Sequence, residues 1–558
     1  MLAAIRRLLT TRTRTTEAPV SEMRASAADS DTAMVLLRRA IESRAAGALA
    51  AAEGLARRAI DVRHDYAEAY LFLGELCQGR GALEEAIDAY LLSACYAPDL
   101  AEPHLRLGLV FLDSGEFQEA YDTLLKALEK EPQNARAHNA AGAALLHLER
   151  VDEARAHFEQ AITLKSDFVE AHSNLGYLLF RDFELFEEGE RHVRRALELA
   201  PDDINVLTNC TLVMLDRPAE VIDLCDRLLA RDERLDPVRL NRALALLKLG
   251  EFERGWQDYE ARKSVRCNYV RRVLPWPEWK GENLGRRGIY VHTEQGLGDE
   301  IMFASCLPDV IAAAKACVIE CTPKSLKLFR RSFDVTIVAK PQDDTHLPAL
   351  AGAEIDCYSA LGSLPRFFRK TSADFPRHGG YLRADPARVD FWRKRLARLP
   401  GRLKVGIAWR GGVPSTQRSL RSTALHEWLP VLAAPAVDFV DLQHFDCCDE
   451  RATIKDAHPV SLHRWDDAHD DYDETAALVS ALDLVISVQT AIVHLSGALG
   501  KKTWALISAA PEWRYLAQGG QMPWYPSVTL LRQTRLHDWS GPMQAVAEAL
   551  RRETPNPS

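Results

Sequence analysis

Asp299 is the carboxylate from which chemistry can be argued. It lies in the run Ile289 to Ala304, Ile-Tyr-Val-His-Thr-Glu-Gln-Gly-Leu-Gly-Asp-Glu-Ile-Met-Phe-Ala. The run reads as an apolar strand, a turn through Gly296 and Gly298, and a helix start. A carboxylate there is favoured by the helix dipole. Beside a substrate hydroxyl it would act as a general base, worth roughly 10²–10⁴ in rate. A plain helix cap suits the same position. Gly296-x-Gly298 lacks the third glycine and the following acid of a dinucleotide fingerprint, so the turn is read only as close backbone approach beside an exposed helix N-terminus.

A second constellation lies downstream. The turn Ser487-Val488-Gln489-Thr490 feeds a helix, and free N–H groups at such a start favour an anion. Thr490 and His494 are four apart and share a face. Arg410, Arg418 and Arg421 supply charge for a diphosphate, and Trp409 and Trp524 supply faces for stacking. A packed histidine and solvated arginines are the plain alternatives. The acid run Asp466 to Asp473 reads as a solvated loop rather than a metal cluster. The 17 His and eleven Cys show no zinc spacing, so neither metal nor other cofactor is expected.

These residues need strands and helices to hold them. Gly288 to Thr293, Ala316 to Cys321, Val335 to Ala339 and Ala353 to Cys357 read as strands, with a helix at Lys324 to Arg331. Leu403 to Trp409, Phe439 to Gln443, Leu484 to Val488 and Thr503 to Ile507 form a second set. Helices at Thr475 to Leu482, capped by Asp473 and Glu474, and at Ala491 to Leu499 complete it. Such βαβ alternation implies two doubly wound, Rossmann-like α/β lobes, at 288–395 and 396–552, with Asp299 at their cleft.

The first half is a repeat. Gly74, Gly108, Gly142 and Gly176 step by 34 residues. Ala86, Ala120 and Ala154 keep that step, each followed four residues later by Tyr90, Leu124 or Phe158. The fourth unit has slipped by one, so Gly189 and Val193 take those places. This is the tetratricopeptide pattern of stacked helix pairs. The α-helical array is read over 33–264, with a pair at Ala33 to His64 and later units at Asn205 to Arg231 and Asp236 to Arg262. Such arrays usually offer a groove to a protein partner; a purely structural or dimerising role is the alternative. Trp276-Pro277-Glu278-Trp279-Lys280-Gly281 breaks the pattern, giving a linker at 265–287 whose two Trp pack the last repeat on the next domain.

Bulk properties exclude other classes. With 558 residues, several domains are expected. A net charge of −9 gives no basic field for nucleic acid. No apolar run reaches the roughly 18 residues of a membrane span, and scattered cysteines fit a reducing, cytoplasmic setting. Residues 1–32 read as a basic, flexible tail, with a transit or membrane-surface helix as the alternative, and 553–558 as a disordered end.

In combination, several segments resemble one family. They are Gly250-Glu251-Phe252-Glu253-Arg254-Gly255-Trp256, His292 to Asp299, Ala481 to Val488, His494 to Gly500, Pro511-Glu512-Trp513-Arg514 and Pro523-Trp524-Tyr525-Pro526. The chain resembles bacterial tetratricopeptide-repeat glycosyltransferases with a heptosyltransferase-like catalytic region. The resemblance implies a GT-B fold and inverting, metal-independent sugar transfer from a nucleotide sugar. Asp299 is then the base, and Trp409, Arg410, Gln489, Thr490 and His494 hold the donor. Gly296, Gly298, Arg418, Arg421 and Trp524 are further phosphate or sugar contacts. The implied acceptor is a protein in the repeat groove, flagellin with a CMP-nonulosonic acid donor being one candidate. A non-catalytic scaffold and a transferase for glycan or lipid-linked acceptors are the competing readings. Gln489 stands where the family commonly has Asp, and Arg410-Gly411-Gly412 replaces an Ala-Gly-Asn type of loop.

Overall fold

The structure is a computed structural model that describes residues 27–214, 216–265, 274–341, 354–412, 418–444, 447–469 and 471–554. Most of the tail read at 1–32, and 555–558 of the end read at 553–558, lie outside the described residues; Glu553 instead closes the helix Ser540–Glu553. The tail is shorter than expected, because the helix Ala27–Ala45 already begins there, with Asp29 in its first turn. The chain falls into two compact units, one ending at Pro201 and one starting at Asp202.

The first unit holds ten described helices in five antiparallel hairpins: Ala27–Ala45 with Leu49–Val62, Ala67–Gly79 with Leu83–Tyr96, Ala101–Asp113 with Phe117–Lys130, Ala135–His147 with Val151–Leu164, and Val169–Arg181 with Phe186–Leu199. The spacing of the sequence explains the packing. A Cβ on Gly74 would fall 2.5 Å from the Tyr90 ring, and one on Gly142 would fall 2.7 Å from Phe158. Each glycine is therefore the socket for the large residue of its partner helix. Gly108 receives Leu124, and Gly176 receives Val193, in the same way. Ala86, Ala120 and Ala154 are fully buried beside them.

The second unit opens with two more hairpins, Ile204–Val213 with Pro218–Arg231 and Asp236–Leu249 with Phe252–Tyr259. Gly250 turns the last one in the left-handed region, at φ 80°. Two sheets follow. The smaller contains β1 (Gly288–His292), β2 (Ala316–Cys321), β3 (Thr336–Ala339) and β4 (Cys357–Ala360), all parallel, in the order β3-β2-β1-β4. The fourth strand starts where the sequence reading ended it, in register with Ile289 through Cys357. The larger sheet contains β5 (Leu403–Ala408), β6 (Val437–Asp441), β7 (Leu462–His463), β8 (Leu484–Val488), β9 (Thr503–Ile507), β10 (Gln521–Met522) and β11 (Tyr525–Arg532). Its order is β10-β11-β9-β8-β5-β6-β7, parallel except for β10.

Two packing details differ from the sequence reading. The linker tryptophans stay with the smaller sheet: Trp279 packs on Phe367, with ring centroids 4.3 Å apart, and Trp276 on Tyr290, at 5.8 Å. The join to the last hairpin is made by Trp256, which meets Trp513 at 5.5 Å and Trp524 at 6.1 Å. Proline at 275 and 277 holds the linker extended, whereas Trp256 sits on a helix aimed at the α/β core. The helix Pro386–Leu396, read as the end of the first lobe, packs on Tyr472–Ala481 beside the larger sheet. Arg388 Nε and Trp392 Nε1 both donate to Glu474, at 2.6 and 2.9 Å.

Candidate functional site

Parallel sheets bind ligands beyond the carboxyl ends of their strands, where the strand order reverses. In the smaller sheet that point lies between β1 and β4. The loop there is Thr293 to Gly296, followed by the helix Leu297–Phe303 with Asp299 and Glu300 in its first turn. In the larger sheet it lies between β5 and β8. The loops there carry Trp409 to Gly412 and Gln489-Thr490, and they touch: a Cβ on Gly411 would be 2.8 Å from the Gln489 carbonyl oxygen.

Asp299 is not a simple cap. Its Oδ1 accepts from Arg514 Nε at 2.9 Å and also from Arg514 Nη2. Arg514 Nη1 donates to Glu512 at 2.6 Å, and Arg421 pairs with the other Glu512 oxygen. The result is a row of alternating charge, Asp299–Arg514–Glu512–Arg421. The Asp299 and Arg514 side chains are 20% and 16% exposed, so a ligand can reach them. Burial works against both the Arg514 cation and the Glu512 anion. The carboxylates of Asp299 and Glu512 outweigh it and raise Arg514, and Arg514 and Arg421 outweigh it and lower Glu512.

The helix Ala491–Ala498 comes up against this row. A Cβ on Gly298 would lie 3.3 Å from His494 Cδ2 and 3.6 Å from Ala491 Cα. The closeness that Gly298 permits is therefore to another helix of the same chain, not to acceptor or sugar; space beside Gly296 is open. His494 is buried, with Nδ1 3.2 Å from the Tyr525 hydroxyl. Burial, with Arg514 nearby, pushes it down to about 3. A neutral imidazole brings no positive charge to a phosphate and could offer it only a hydrogen bond. Thr490 caps the helix, accepting from the Ile492 N–H at 3.1 Å and sharing a proton with Ser487 Oγ at 2.9 Å. Gln489 is buried; its Oε1 accepts from the Ser508 N–H at 3.1 Å, and its Nε2 has no partner.

The tryptophans are corrected from ligand platforms to core. Trp409 is fully buried and donates from Nε1 to Glu450 at 3.1 Å. Trp524 is enclosed by Phe375 at 4.9 Å and Phe303 at 5.9 Å. An enclosed ring has no face left for a base or sugar. Arg410 pairs with Glu450, and its N–H donates to Gln443 Oε1 at 2.9 Å. Arg418 and Arg421 form a short turn after residues 413–417, which lie outside the described residues. Within the acid run, Asp466 and Asp467 are exposed, as a solvated loop requires, and the described acids that follow are also paired with bases. Asp467 meets Arg395, Asp471 meets Lys327, and Asp473 meets Arg331, at 2.5–2.7 Å. Among the described residues, the one group with metal-ligand geometry is Glu53, Cys77 and Glu85. Arg57 and Arg80 occupy both of its carboxylates, at distances up to 3.5 Å.

Arg514, Glu512, Gln443 and Arg262 are the residues that site reasoning missed. Arg262 donates to Glu294 at 2.7 Å and to Ser363 at 2.9 Å, and Tyr259 takes a hydrogen bond from Gln295 at 3.0 Å. The last helical hairpin thus holds the loop that presents Asp299. The co-occurrence of the Gly250–Trp256 and His292–Asp299 segments was the available signal; their contact was not visible in it.

A tetratricopeptide-repeat family model matches residues 105–167. Protein FlbA of Caulobacter vibrioides is 32% identical over 375 residues, 64% of this chain and 63% of that relative. This chain therefore spans somewhat less than two thirds of the relative's length. Among solved structures, a tetratricopeptide repeat protein from Parabacteroides merdae is 17% identical with a TM-score of 0.35, covering 43% of this chain and 94% of that one. A thermophilic repeat protein of Thermus thermophilus is 23% identical with a TM-score of 0.28, covering 33% of this chain and 99% of its own. The chain is a tetratricopeptide-repeat protein related to FlbA. No helix among the described residues is long and apolar enough to cross a membrane.

Proposed function

We propose that the protein is an inverting, metal-independent glycosyltransferase of GT-B type, working in the cytoplasm. It moves a sugar from a nucleotide donor to Ser or Thr hydroxyls of a protein held by the repeat array. The observation that supports this is a reachable Asp299–Arg514 pair at the smaller sheet's switch point, against which the helix following β8 packs. Arg514 is the natural receiver of an incoming phosphate, since its fork suits phosphate as well as carboxylate. Arg514 then moves from Asp299 to the phosphate, and the released carboxylate takes the proton of the acceptor hydroxyl. The acceptor oxygen forms its bond to the anomeric carbon, and the bond to the leaving phosphate breaks, its electron pair staying on the nucleotide. Arg421 offsets that charge. The test is transfer of labelled sugar to a candidate acceptor such as flagellin: activity lost in Asp299→Ala is expected, and full activity there would remove Asp299 as the base.

A second reading is a repeat scaffold whose α/β region binds a nucleotide sugar without transferring it. The engagement of Asp299 by Arg514 favours it. Purified protein that binds nucleotide sugars yet neither transfers nor hydrolyses them would establish this reading and end the first.

A further inference from the structure

Arg532 commits its guanidinium to the backbone oxygens of one loop. It is the last residue of β11, in register with Ile507 of β9, so its backbone belongs to the sheet. Its Nε donates to the Gly519 carbonyl oxygen at 2.7 Å and its Nη1 to that of Leu516 at 3.1 Å. Its Nη2 donates to the carbonyl oxygen of Gln518 at 3.2 Å and to that of Tyr515. Among the described residues no carboxylate pairs with it, and burial alone pushes it below its ordinary value. An arginine held this way gives up hydration without gaining a counter-charge; what it gains is a fixed loop, because its donors form a rigid fork.

The loop it holds begins at the residue after Arg514. Trp513 to Tyr515 form one helical turn, and Leu516 ends that turn at φ 58°, ψ 165°. Residues other than glycine rarely adopt that backbone, and one that does is kept there by its surroundings. Two holds keep Leu516 there. One is the Arg532 fork. The other is the Ala517 N–H, which donates at 2.8 Å to the Lys248 carbonyl oxygen on the helix Asp236–Leu249. Between them they fix the turn whose Arg514 meets Asp299 and Glu512.

We infer that Arg532 is a positioning residue, which acts through the carbonyls of residues 515–519 to aim Arg514 at Asp299. Without the fork, Leu516 relaxes to an ordinary backbone and the turn carrying Arg514 rotates off the carboxylate. The inference rests on the glycosyl-transfer reading only for its consequence, the release of Asp299 before a donor phosphate arrives.

The test uses the full chain and phenylglyoxal, a reagent for accessible guanidinium groups, with modification at Arg514 read by peptide mass spectrometry well below the melting temperature. In the wild type Arg514 is expected to react slowly, because Asp299 and Glu512 engage its donors. In Arg532→Met it should react about ten-fold faster, the worth of one hydrogen bond to a charged group. Arg532→Lys, whose ammonium keeps three donors for the same carbonyls, should restore most of the protection. A merely structural contact would lower the melting temperature of Arg532→Met and leave Arg514 protected, and that result overturns the inference. Rapid modification in the wild type overturns it too, as does an Arg532→Lys protein no better protected than Arg532→Met. If Arg532→Met does not fold, Arg532→Gln, with one amide in place of the fork, is read by the same outcomes. Faster modification of Arg514 in a protein that transfers no sugar would support the inference and fail the transferase reading alone.

Discussion

The repeat array and the α/β region both use glycine for close packing, yet they use it differently. In the array, Gly142 is a socket for Phe158, sixteen residues further along the same hairpin. In the α/β region, Gly298 lets one helix approach His494, about two hundred residues away in sequence. The first kind of contact repeats with the chain and can be counted. The second is made once, by folding. Charge divides the same way. Ion pairs of the array are mostly within a turn or a hairpin, such as Arg150 with Glu153 and Arg155 with Glu159, and exposed pairs of that kind contribute little. The row from Asp299 to Arg421 is long-range and largely enclosed, so removing one member leaves charge without a partner.

That contrast can be broken most directly at Arg514. Arg514→Met should destabilise the α/β region by about 3–5 kcal/mol, since Asp299 and Glu512 both lose their counter-charge; a two-wavelength melt or urea titration reads it. No loss would mean that water reaches the row and the pair is a surface one.

In the array, Gly142→Ala comes next. Helix propensity alone predicts a gain of about 1 kcal/mol. The Cβ, 2.7 Å from Phe158, should reverse the sign and cost about 1–3 kcal/mol by overpacking. A stabilised variant would show that the hairpin relaxes and the socket is not tight.

The array should also weaken in acid. His138 and His157 meet Nδ1 to Nδ1 at 3.0 Å, and His172 and His192 at 2.9 Å. Burial first, then the partner histidine, pushes His157 and His192 below the ordinary 6.5, with Glu153 and Glu188 opposing and Arg150 and Arg191 adding. The unfolded chain therefore binds protons that the folded array does not. Stability is fully present above about pH 6.5 and falls as the pH drops below it. Melts from pH 8 to 5 should show that slope, and His157→Gln with His192→Gln should flatten it.

The smallest effect belongs to Gly298→Ala. At 3.3 Å from the flexible end of His494, the added Cβ should change stability by less than about 1 kcal/mol. A loss as large as that of Gly142→Ala would erase the distinction between socket and approach.

Much of the architecture was legible beforehand. The five hairpins, the strands β1, β2, β5, β8 and β9, and the turn at Gly250 stand where pattern placed them. The site was less legible. Asp299, Gln489 and Thr490 were found as residues at strand ends, because turn chemistry is local. Their partners were not. Arg514 stands 215 residues after Asp299, and nothing in a lone Glu-x-Arg announces the pairing. Trp409 and Trp524 read equally well as platforms or core until burial decided it.

The sequence by itself determined the repeat, the two sets of strands and the positions of the loops, because periodicity, glycine spacing and strand ends are set by neighbours along the chain. Only the tertiary structure decided that Asp299 is held by Arg514, that His494 is buried beside the Tyr525 hydroxyl, and that the last hairpin supports the Asp299 loop through Tyr259 and Arg262. Those facts depend on which distant surfaces are buried together, and burial, not residue type, sets whether a polar group meets a partner or a ligand.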